Sequence, residues 1–460
     1  MHRNALFSLQ NWLKSNTRRP LVIRGARQVG KSTLVRDFSK AASKNLLEIN
    51  LEKHVELDVI FKTLDLGLIT KNLESILKRK IRDESDLLFL DEIQATPHAL
   101  ASLRYFFEER GGLPVVAAGS LLEFTLSDHS FSMPVGRIEY LHLEPMTFSE
   151  FLLAKGEGWL HEQLNHFDLF SPWPEHSHLE LLKLYREYLF VGGMPGVVFR
   201  YIQKNESATS FKKIQQTIVE TYRDDFSKYC NQEQLSQLRQ IYACLPAQVG
   251  KKIIYSNIAR DLRASQLRNS IEMLEQAKII RRAFHTSGQS VPLSSQVKPE
   301  IYKIYWLDCG LFNRILKVDP DILNQDHRLY HEGTIAEQFI AQHLSSLHPP
   351  DERPELFYWL REGKKQNSEV DFLIQLGNYI IPLEIKSSKS GSLKSLLQFV
   401  LSHQTSIGVK LSAEIPSFQK VRHSVVEGKG SRMVEFTLLN LPLYLIEKLP
   451  TVISSMGAIG

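Results

Sequence analysis

The chain has 460 residues, which at about 150 per domain is room for roughly three domains, each long enough to bury its own core. With 43% hydrophobic, 23% charged and 10% aromatic residues, its composition is globular and excludes the disordered, collagen-like and fibrous classes. Lys and Arg number 56 against 51 Asp and Glu, a net charge of +5 that taken whole points to no acidic partner. The three cysteines, Cys230, Cys244 and Cys309, have no paired spacing and build neither a disulfide framework nor a zinc ribbon, which fits a reducing cytoplasm. The N-terminal segment lacks an apolar core with a cleavage site, and no apolar run reaches the roughly 20 residues of a bilayer span, so neither secretion nor a membrane partner is expected.

Over residues 1–145 short apolar runs alternate with helical periodicity, predicting an α/β domain with strands at 21–23, 46–49, 87–90, 114–118 and 138–143. Between the first strand and a helix beginning near Ser32 lies Gly25-Ala26-Arg27-Gln28-Val29-Gly30-Lys31-Ser32, followed by Thr33. This is the phosphate-binding loop in its required context. Its glycines let backbone N–H groups approach the phosphate oxygens of ATP, Lys31 reaches the β- and γ-phosphates, and Ser32 ligates Mg²⁺. The strand 87–90 ends in Asp91 and Glu92 at the sheet edge where nucleotide sits. Asp91 is expected to hold the Mg²⁺ shell, and Glu92 to orient and activate the attacking water. Ser120, after the next strand, either senses the γ-phosphate or caps the following helix.

Amphipathic helices from about 149 to 230, interrupted by Gly192-Gly193-Met194-Pro195-Gly196, predict a helical lid over 146–232. Residues 236–285 then carry nine Lys/Arg against three acids, leaving the rest of the chain near neutral. Their pattern reads helix, helix, helix, strand, with helix two over 256–262 capped by Ser256 and helix three over 265–278 capped by Ser265. That is the order of a winged helix-turn-helix, assigned to 233–295. Gln266, Arg268 and Asn269 suit the base edges and phosphates of DNA. The alternative is a packing unit between domains whose basic face is solvated.

A second α/β domain is expected over 296–460, with apolar runs at 302–307, 370–375, 379–385 and 441–446. Gly377-Asn378 is a two-residue hairpin signal, and a turn there sets Asp371 opposite Glu384 and Glu369 opposite Lys386. Strand alternation then puts these four on one face and Val370, Phe372, Ile374, Ile381, Leu383 and Ile385 on the other. Opposed carboxylates repel. A divalent cation, Mg²⁺ or Mn²⁺, between Asp371 and Glu384 removes the repulsion and can activate water against a phosphodiester, with Lys386 neutralising developing charge. Glu337, on an amphipathic helix over 334–344, can add a further ligand or base.

The stretches VIRGARQVGKSTL, LLFLDEIQ, VVAAGSLLEF, VGRIEYLHLEPMTFSEFL, YLFVGGMPGVV, YWLDCGL, EGTIAEQFI, SEVDFLI and PLEIKSS resemble one family over nearly the whole chain. It is that of bacterial AAA-superfamily ATPases whose C-terminal half is a domain of unknown function with a restriction-endonuclease-like core. The resemblance implies ATP binding and hydrolysis and a restriction-endonuclease-like core; with the elements read above, the expected fold is α/β, made of a P-loop AAA-type parallel-sheet domain, a helical lid, a winged helix and a C-terminal restriction-endonuclease-like α/β domain. Ser120 stands alone where the family has several serines, and Leu360 separates a usual Trp-Arg pair, here Trp359 and Arg361. Arg137 looks like the family's recurrent Gly-Arg and is either an arginine finger or an arginine paired with a carboxylate at a strand entry. The acidic hairpin with Glu-x-Lys resembles the nuclease core of restriction enzymes and Holliday-junction resolvases. It implies catalysis by Asp371, Glu384 and Lys386, or else an inactive nuclease fold used as a scaffold. The expectation is a cytoplasmic ATPase whose nucleotide state controls a basic winged helix and a nuclease-like domain acting on DNA, working alone, as a homo-oligomer or with a protein partner. Its rival is a signalling or scaffold ATPase switch.

Overall fold

The computed structural model describes residues 1–127, 136–203, 210–259, 261–318, 332–362, 367–386, 393–427 and 430–457. Among these, the strands form two sheets. The first comprises β1 (Leu21–Arg24), β2 (Asn45–Asn50), β3 (Asp86–Asp91), β4 (Val115–Gly119) and β5 (Glu139–His142), all parallel, in the order β2-β3-β4-β1-β5. Each lies within one residue of its expected position. Alternation along the strands serves two cores: Leu21, Ile23, Leu87, Phe89, Val116 and Ala118 face one, and Val22, Leu88, Leu90, Val115 and Ala117 the other. A parallel sheet covered on both faces reads as unbroken apolar runs, which is why these strands were legible. The helices of this part are α1 (Ala5–Lys14), α2 (Lys31–Ala41), α3 (Leu57–Lys62), α4 (Leu66–Leu77), α5 (Pro97–Glu109) and α6 (Leu122–Ser127).

A helical segment follows: α7 (Phe148–Lys155), α8 (Gly158–Asn165), α9 (Glu175–Val191), α10 (Pro195–Ile202), α11 (Ser210–Asp225), α12 (Gln232–Cys244) and α13 (Ala264–Gln276). The expected break is present. Gly192, at φ 76°, ends α9, and Pro195 opens α10 at its first residue, where a missing N–H costs nothing.

The second sheet holds β6 (Ile280–Thr286), β7 (Val297–Trp306), β8 (Leu356–Arg361), β9 (Ser368–Leu376), β10 (Tyr379–Ile385), β11 (Ile407–Ser412), β12 (Ser417–Glu427) and β13 (Gly430–Pro442), in the mixed order β12-β13-β11-β10-β9-β8-β6-β7. Helices α14 (Cys309–Ile315), α15 (Glu332–Ser346), α16 (Lys394–His403) and α17 (Leu449–Ser455) accompany it. Phe339, Ile340 and Leu344 of α15 join the large core shared with the first sheet, while Phe399 of α16 packs with Trp359, Val370 and Leu373.

Two expectations are corrected here. Helix two of the winged helix is a single 3₁₀ turn, Tyr255–Asn257, and Arg260 lies outside the described residues. The strand meant to serve as its wing, β6, pairs with both β7 and β8, so the second sheet begins at Ile280 and the boundary expected at 295 cuts through it. Ser256 lies inside that turn and Ser265 inside α13, so neither stands at the cap position expected of it. The residue preceding α13 is Arg263, whose backbone N–H donates to Gln266 Oε1 at 2.9 Å.

The helical segment and the second sheet are joined at Asp308, which is fully buried. Its Oδ2 accepts from the Gly193 N–H at 2.6 Å and its Oδ1 from the Leu311 N–H at 2.9 Å. Gly193 in turn tolerates no side chain, since a Cβ would sit 2.1 Å from the Met146 carbonyl oxygen. Asp308→Ala should therefore leave two buried backbone donors unmatched, at roughly 1–3 kcal/mol each. The expected outcome is a loss of about 3 kcal/mol or more in urea-induced unfolding, a large share of a typical domain's stability.

Candidate functional site

The phosphate-binding loop connects β1 to α2 and contains two residues at positive φ, Gln28 at 65° and Gly30 at 92°. Left-handed residues interleaved with right-handed ones turn successive N–H groups toward one concavity, an anion-binding nest. Gly25 is required for packing as well, because a Cβ there would meet the Leu143 carbonyl oxygen at 2.5 Å and Val29 at 3.1 Å. Arg3 braces the loop from outside, donating to the Val29 carbonyl at 3.0 Å and the Glu144 carbonyl at 2.6 Å while pairing with Glu150 at 3.1 Å.

Lys31 is buried and donates to the carbonyls of Gly25 and Ala26 at 3.1 and 2.9 Å. Burial pushes its ammonium down to about 8, against the pull of Glu92 and Asp91. A lysine whose charge is held only by carbonyls and nearby carboxylates gains most from an arriving polyphosphate. Ser32 Oγ donates to Asp91 Oδ2 at 2.7 Å, and burial raises the Asp91 carboxyl above the ordinary range. This hydroxyl and carboxylate are the pair that would hold Mg²⁺, and the hard oxygen donors fit that ion. Glu92 follows in a left-handed conformation at φ 53°, and its Oε2 accepts from Gln94 Nε2 at 2.6 Å. Gln94 went unread in the sequence although it stands two residues on in Asp-Glu-Ile-Gln. It also packs so tightly on Gly119 that a Cβ there would lie 2.4 Å from its Oε1. Ser120 is buried just after β4.

Two further arginines of the expected site hold ion pairs. The Arg27 guanidinium pairs with Asp225 at the end of α11, with Nη1 2.5 Å from each carboxylate oxygen, and the Tyr222 hydroxyl donates to the Arg27 carbonyl at 2.9 Å. Arg137 precedes β5, whose Glu139 pairs with Leu21 at the start of β1, so it stands at the sheet edge opposite its own P-loop. There Arg137 Nε donates to Glu108 Oε1 at 2.9 Å, the ion-pair alternative.

The second constellation lies in the C-terminal sheet. The hairpin register is the expected one, running from Tyr379 opposite Leu376 to Leu383 opposite Phe372. Asp371 Oδ2 accepts from the Ile385 N–H at 2.7 Å, and Lys386 Nζ donates to Glu384 Oε1 at 2.6 Å. The expected faces need correction. Phe357 pairs with Leu373 but Trp359 with Val370, so Asp371 and Phe372 together oppose Tyr358 in a β-bulge. Val370 consequently packs with Trp359 and Leu373, whereas Phe372 joins the large core.

The reasoning from sequence also missed Lys303. It sits in the middle of β7, fully buried, with Nζ 2.5 Å from Glu369 Oε1, 3.8 Å from Glu337 Oε2 and 5.1 Å from the centre of the Tyr358 ring. Glu337 is aimed there because α15 is locked to the end of β7: Gln338 accepts from the Trp306 N–H at 2.7 Å and donates to its carbonyl at 2.8 Å. Tyr305 also donates to Glu337 Oε2 at 3.1 Å. Burial and the neighbouring carboxylates raise Glu337, burial and Asp371 raise Glu384, and Glu337, Glu369 and Asp371 together outweigh burial to raise Lys303. The expectation that only a metal or a proton could reconcile Asp371 with Glu384 overlooked this buried ammonium. Among the described residues no group of three or more His, Cys, Asp or Glu could hold a metal ion, so Glu337, Asp371 and Glu384 do not fit a second Mg²⁺ or Mn²⁺ as they stand.

Four of the nine basic residues in 236–285 hold ion pairs. Lys278 pairs with Glu123 at 3.3 Å, Arg282 with Glu275 at 2.6 Å, Arg281 with Glu144, and Lys252 with Glu362. Gln266 is engaged by the Arg263 N–H, while Arg268 and Asn269 remain exposed.

A five-stranded parallel sheet in this order, with a phosphate-binding loop after β1 and adjacent acids at the end of β3, defines a P-loop nucleotide-binding domain. Residues 17–152 match the model of an AAA domain. Residues 182–322 and 332–427 match two domains of unknown function, DUF8612 and DUF4143. No curated protein matches. Similar solved structures include the Aeropyrum pernix ORC2 protein in ADPNP–ADP complexes (14% identity, 70% of this chain and 94% of that one, TM-score 0.26). Others are the Thermotoga maritima RuvB Holliday junction branch migration motor (16%, 61% and 89%, 0.27) and C. elegans PCH-2 (15%, 47% and 59%, 0.23). Likeness at these scores carries no argument, and the class rests on the site and the domain match. Among the described residues no helix is long and apolar enough to cross a membrane.

The Lys31 environment sets a pH dependence. Below about 8 the lysine already carries its charge and ATP binding needs no proton; above it, binding must recharge the ammonium. ATP affinity should therefore be flat near neutrality and fall by up to about tenfold per pH unit on the alkaline side. Calorimetry in buffers of different ionisation heat should show proton uptake approaching one per ATP at about pH 9.5 and little at about pH 7.

Proposed function

We propose that the chain is an ATP-hydrolysing switch whose nucleotide state is relayed to its C-terminal domain. One observation carries the reading: Lys31, the Ser32–Asp91 pair and Glu92 held by Gln94 meet at one edge of the parallel sheet. In this reading Ser32 and Asp91 hold Mg²⁺, which would supply charge neutralisation across the phosphates, and Lys31 adds to it. Glu92 accepts a proton from the attacking water. The relay is supported by Arg27, which ties the loop to Asp225 at the end of α11, and by Pro195, which a Cβ at Gly30 would approach to 3.3 Å. For the C-terminal domain, the buried Lys303 and the ion-paired basic stretch favour the scaffold reading, in which the domain makes protein contacts. An arginine-finger role for Arg137 would require a second copy of the chain, because its own P-loop is at the other edge of the sheet.

The mutations that test the ATPase separate binding from turnover. Lys31→Ala should abolish or severely weaken ATP binding. Glu92→Gln should bind ATP as wild type does while turnover falls by about 10²–10⁴-fold. Undiminished phosphate release from Glu92→Gln would remove Glu92 from the mechanism.

A second reading, action on DNA through a basic helix and a nuclease-like domain, is favoured by the exposure of Arg268 and Asn269 near the start of α13. It predicts weak duplex binding with a steep salt dependence, reduced by Arg268→Glu across unrelated sequences. Fluorescence anisotropy at low salt that detects no binding, or no change in the variant, would leave the scaffold reading alone.

A further inference from the structure

The charge in the C-terminal cluster is divided unevenly. On one side Glu337 and Glu369 have Lys303 between them and Tyr305 as an additional donor. On the other, Asp371 and Glu384 share one backbone N–H and Lys386, and Glu384 Oε2, on a side chain only 6% exposed, has no hydrogen-bond partner among the described residues. A buried carboxylate oxygen left unmatched is costly and marks a position that a cation or donor would satisfy. Hard divalent cations take six or more oxygens, and Mg²⁺ in particular leans on substrate phosphates when only one or two carboxylates are offered.

We propose that Lys303 is the resident cation of this cluster. It removes Glu337 and Glu369 from any ligand set, leaves Asp371 and Glu384 as a two-carboxylate half-site, and so closes the domain to tight binding of a divalent ion. Neutralising that one side chain opens the site. The ammonium has no other role to fill. It is wholly buried, it reaches no backbone carbonyl at hydrogen-bond distance among the described residues, and its near neighbours are carboxylates and the face of Tyr358. An ammonium suits this position because it presents a single charge on a flexible stem and can lie against an aromatic face. Glu337, Glu369, Asp371 and Glu384 all lie close enough to Lys303 to act on its charge, so its removal would leave their mutual repulsion without the buried ammonium that now offsets it. The inference does not depend on the ATPase reading, because none of these residues lies in the P-loop domain.

The test is Mn²⁺ binding by the full-length, nucleotide-free protein, measured by calorimetry and by the electron paramagnetic resonance of free Mn²⁺. Wild type, Lys303→Met and Lys303→Gln are each compared with the same protein carrying Asp371→Asn, which subtracts any ion taken up at Asp91. Lys303→Met should bind one Mn²⁺ at least about tenfold more tightly than wild type. The gain should vanish in the Asp371→Asn background, and Mn²⁺ should raise the melting temperature of Lys303→Met but not of wild type. Lys303→Gln keeps a donor for Glu369 and makes the same comparison should the methionine variant fail to fold. Equal affinity in wild type and both variants would overturn the proposal. So would a folded Lys303→Met that binds no more Mn²⁺ than its Asp371→Asn partner, or failure of both variants to fold even with Mn²⁺ present.

Discussion

One buried carboxylate ties together segments that lead to both sites. Asp308 holds the Gly193 N–H, and Gly193 is where the chain turns from α9 toward Pro195, the residue that backs onto Gly30 of the phosphate-binding loop. The same Asp308 receives Gln342 Nε2 at 3.3 Å, and Gln342 Oε1 accepts from the Cys309 N–H at 2.9 Å, fixing α15 against the end of β7. Helix α15 carries Glu337. Burial raises the Asp308 carboxyl against the opposing pull of its backbone and Gln342 donors, so placing it there has a cost. The return is geometric. A carboxylate with this many directional donors allows the helical segment and the second sheet one relative arrangement.

The two buried lysines show how environment assigns opposite roles to one residue type. Lys31 and Lys303 both lose nearly all contact with water, and desolvation alone would lower both. Lys31 has two carbonyl oxygens as direct partners and carboxylates only nearby, so its affinity for protons falls and its demand for an anion remains. Lys303 has Glu369 at 2.5 Å with Glu337 and Asp371 close by, so its proton is held more tightly than in water and its charge is answered by carboxylates already in place. The first is poised to receive a polyphosphate. The second is already neutralised, which is why an acidic cluster that resembles a metal site in sequence is organised as an ion-pair knot.

What was legible in the sequence was local. The P-loop is eight consecutive residues in a strand–turn–helix context, Asp91-Glu92 ends an unbroken apolar strand, and the hairpin register follows from Gly377-Asn378. The partners that complete each site come from far along the chain: Arg3 to Val29 and Glu144, Arg27 to Asp225, Glu337 and Glu369 to Lys303. Two signals were present and passed over. Lys303 stands inside an apolar run, Tyr-Lys-Ile-Tyr-Trp, where every neighbour is buried, and a lysine in a fully buried strand must have an anionic partner. Gln94 follows Glu92 at a spacing that allows a side-chain bond once the chain turns left-handed at Glu92. The bulge at Asp371 and Phe372 had no such signal, because it is defined by the register of β8, a strand from a different part of the chain.

The basic stretch shows why charge counted along a sequence is a poor guide to charge presented at a surface. Residues 236–285 concentrate positive charge, but of the acids that answer it only Glu272 and Glu275, both at Arg282, are named within that window, while Glu123, Glu144 and Glu362 come from elsewhere in the chain. Once the chain folds, Lys278 and Arg281 serve the contact between β6 and the ATPase domain, and Lys252 reaches the end of β8. Arg24, at the end of β1, shares Glu123 with Lys278, so the same carboxylate links the nucleotide-binding sheet to the start of the second one. A surface pair such as Lys252–Glu362 contributes little to stability, but Lys278–Glu123 and Arg281–Glu144 are partly buried and connect the P-loop domain to the second sheet. The local excess of lysine and arginine is therefore better understood as one half of an interface whose acidic half is contributed by the ATPase domain and by β8.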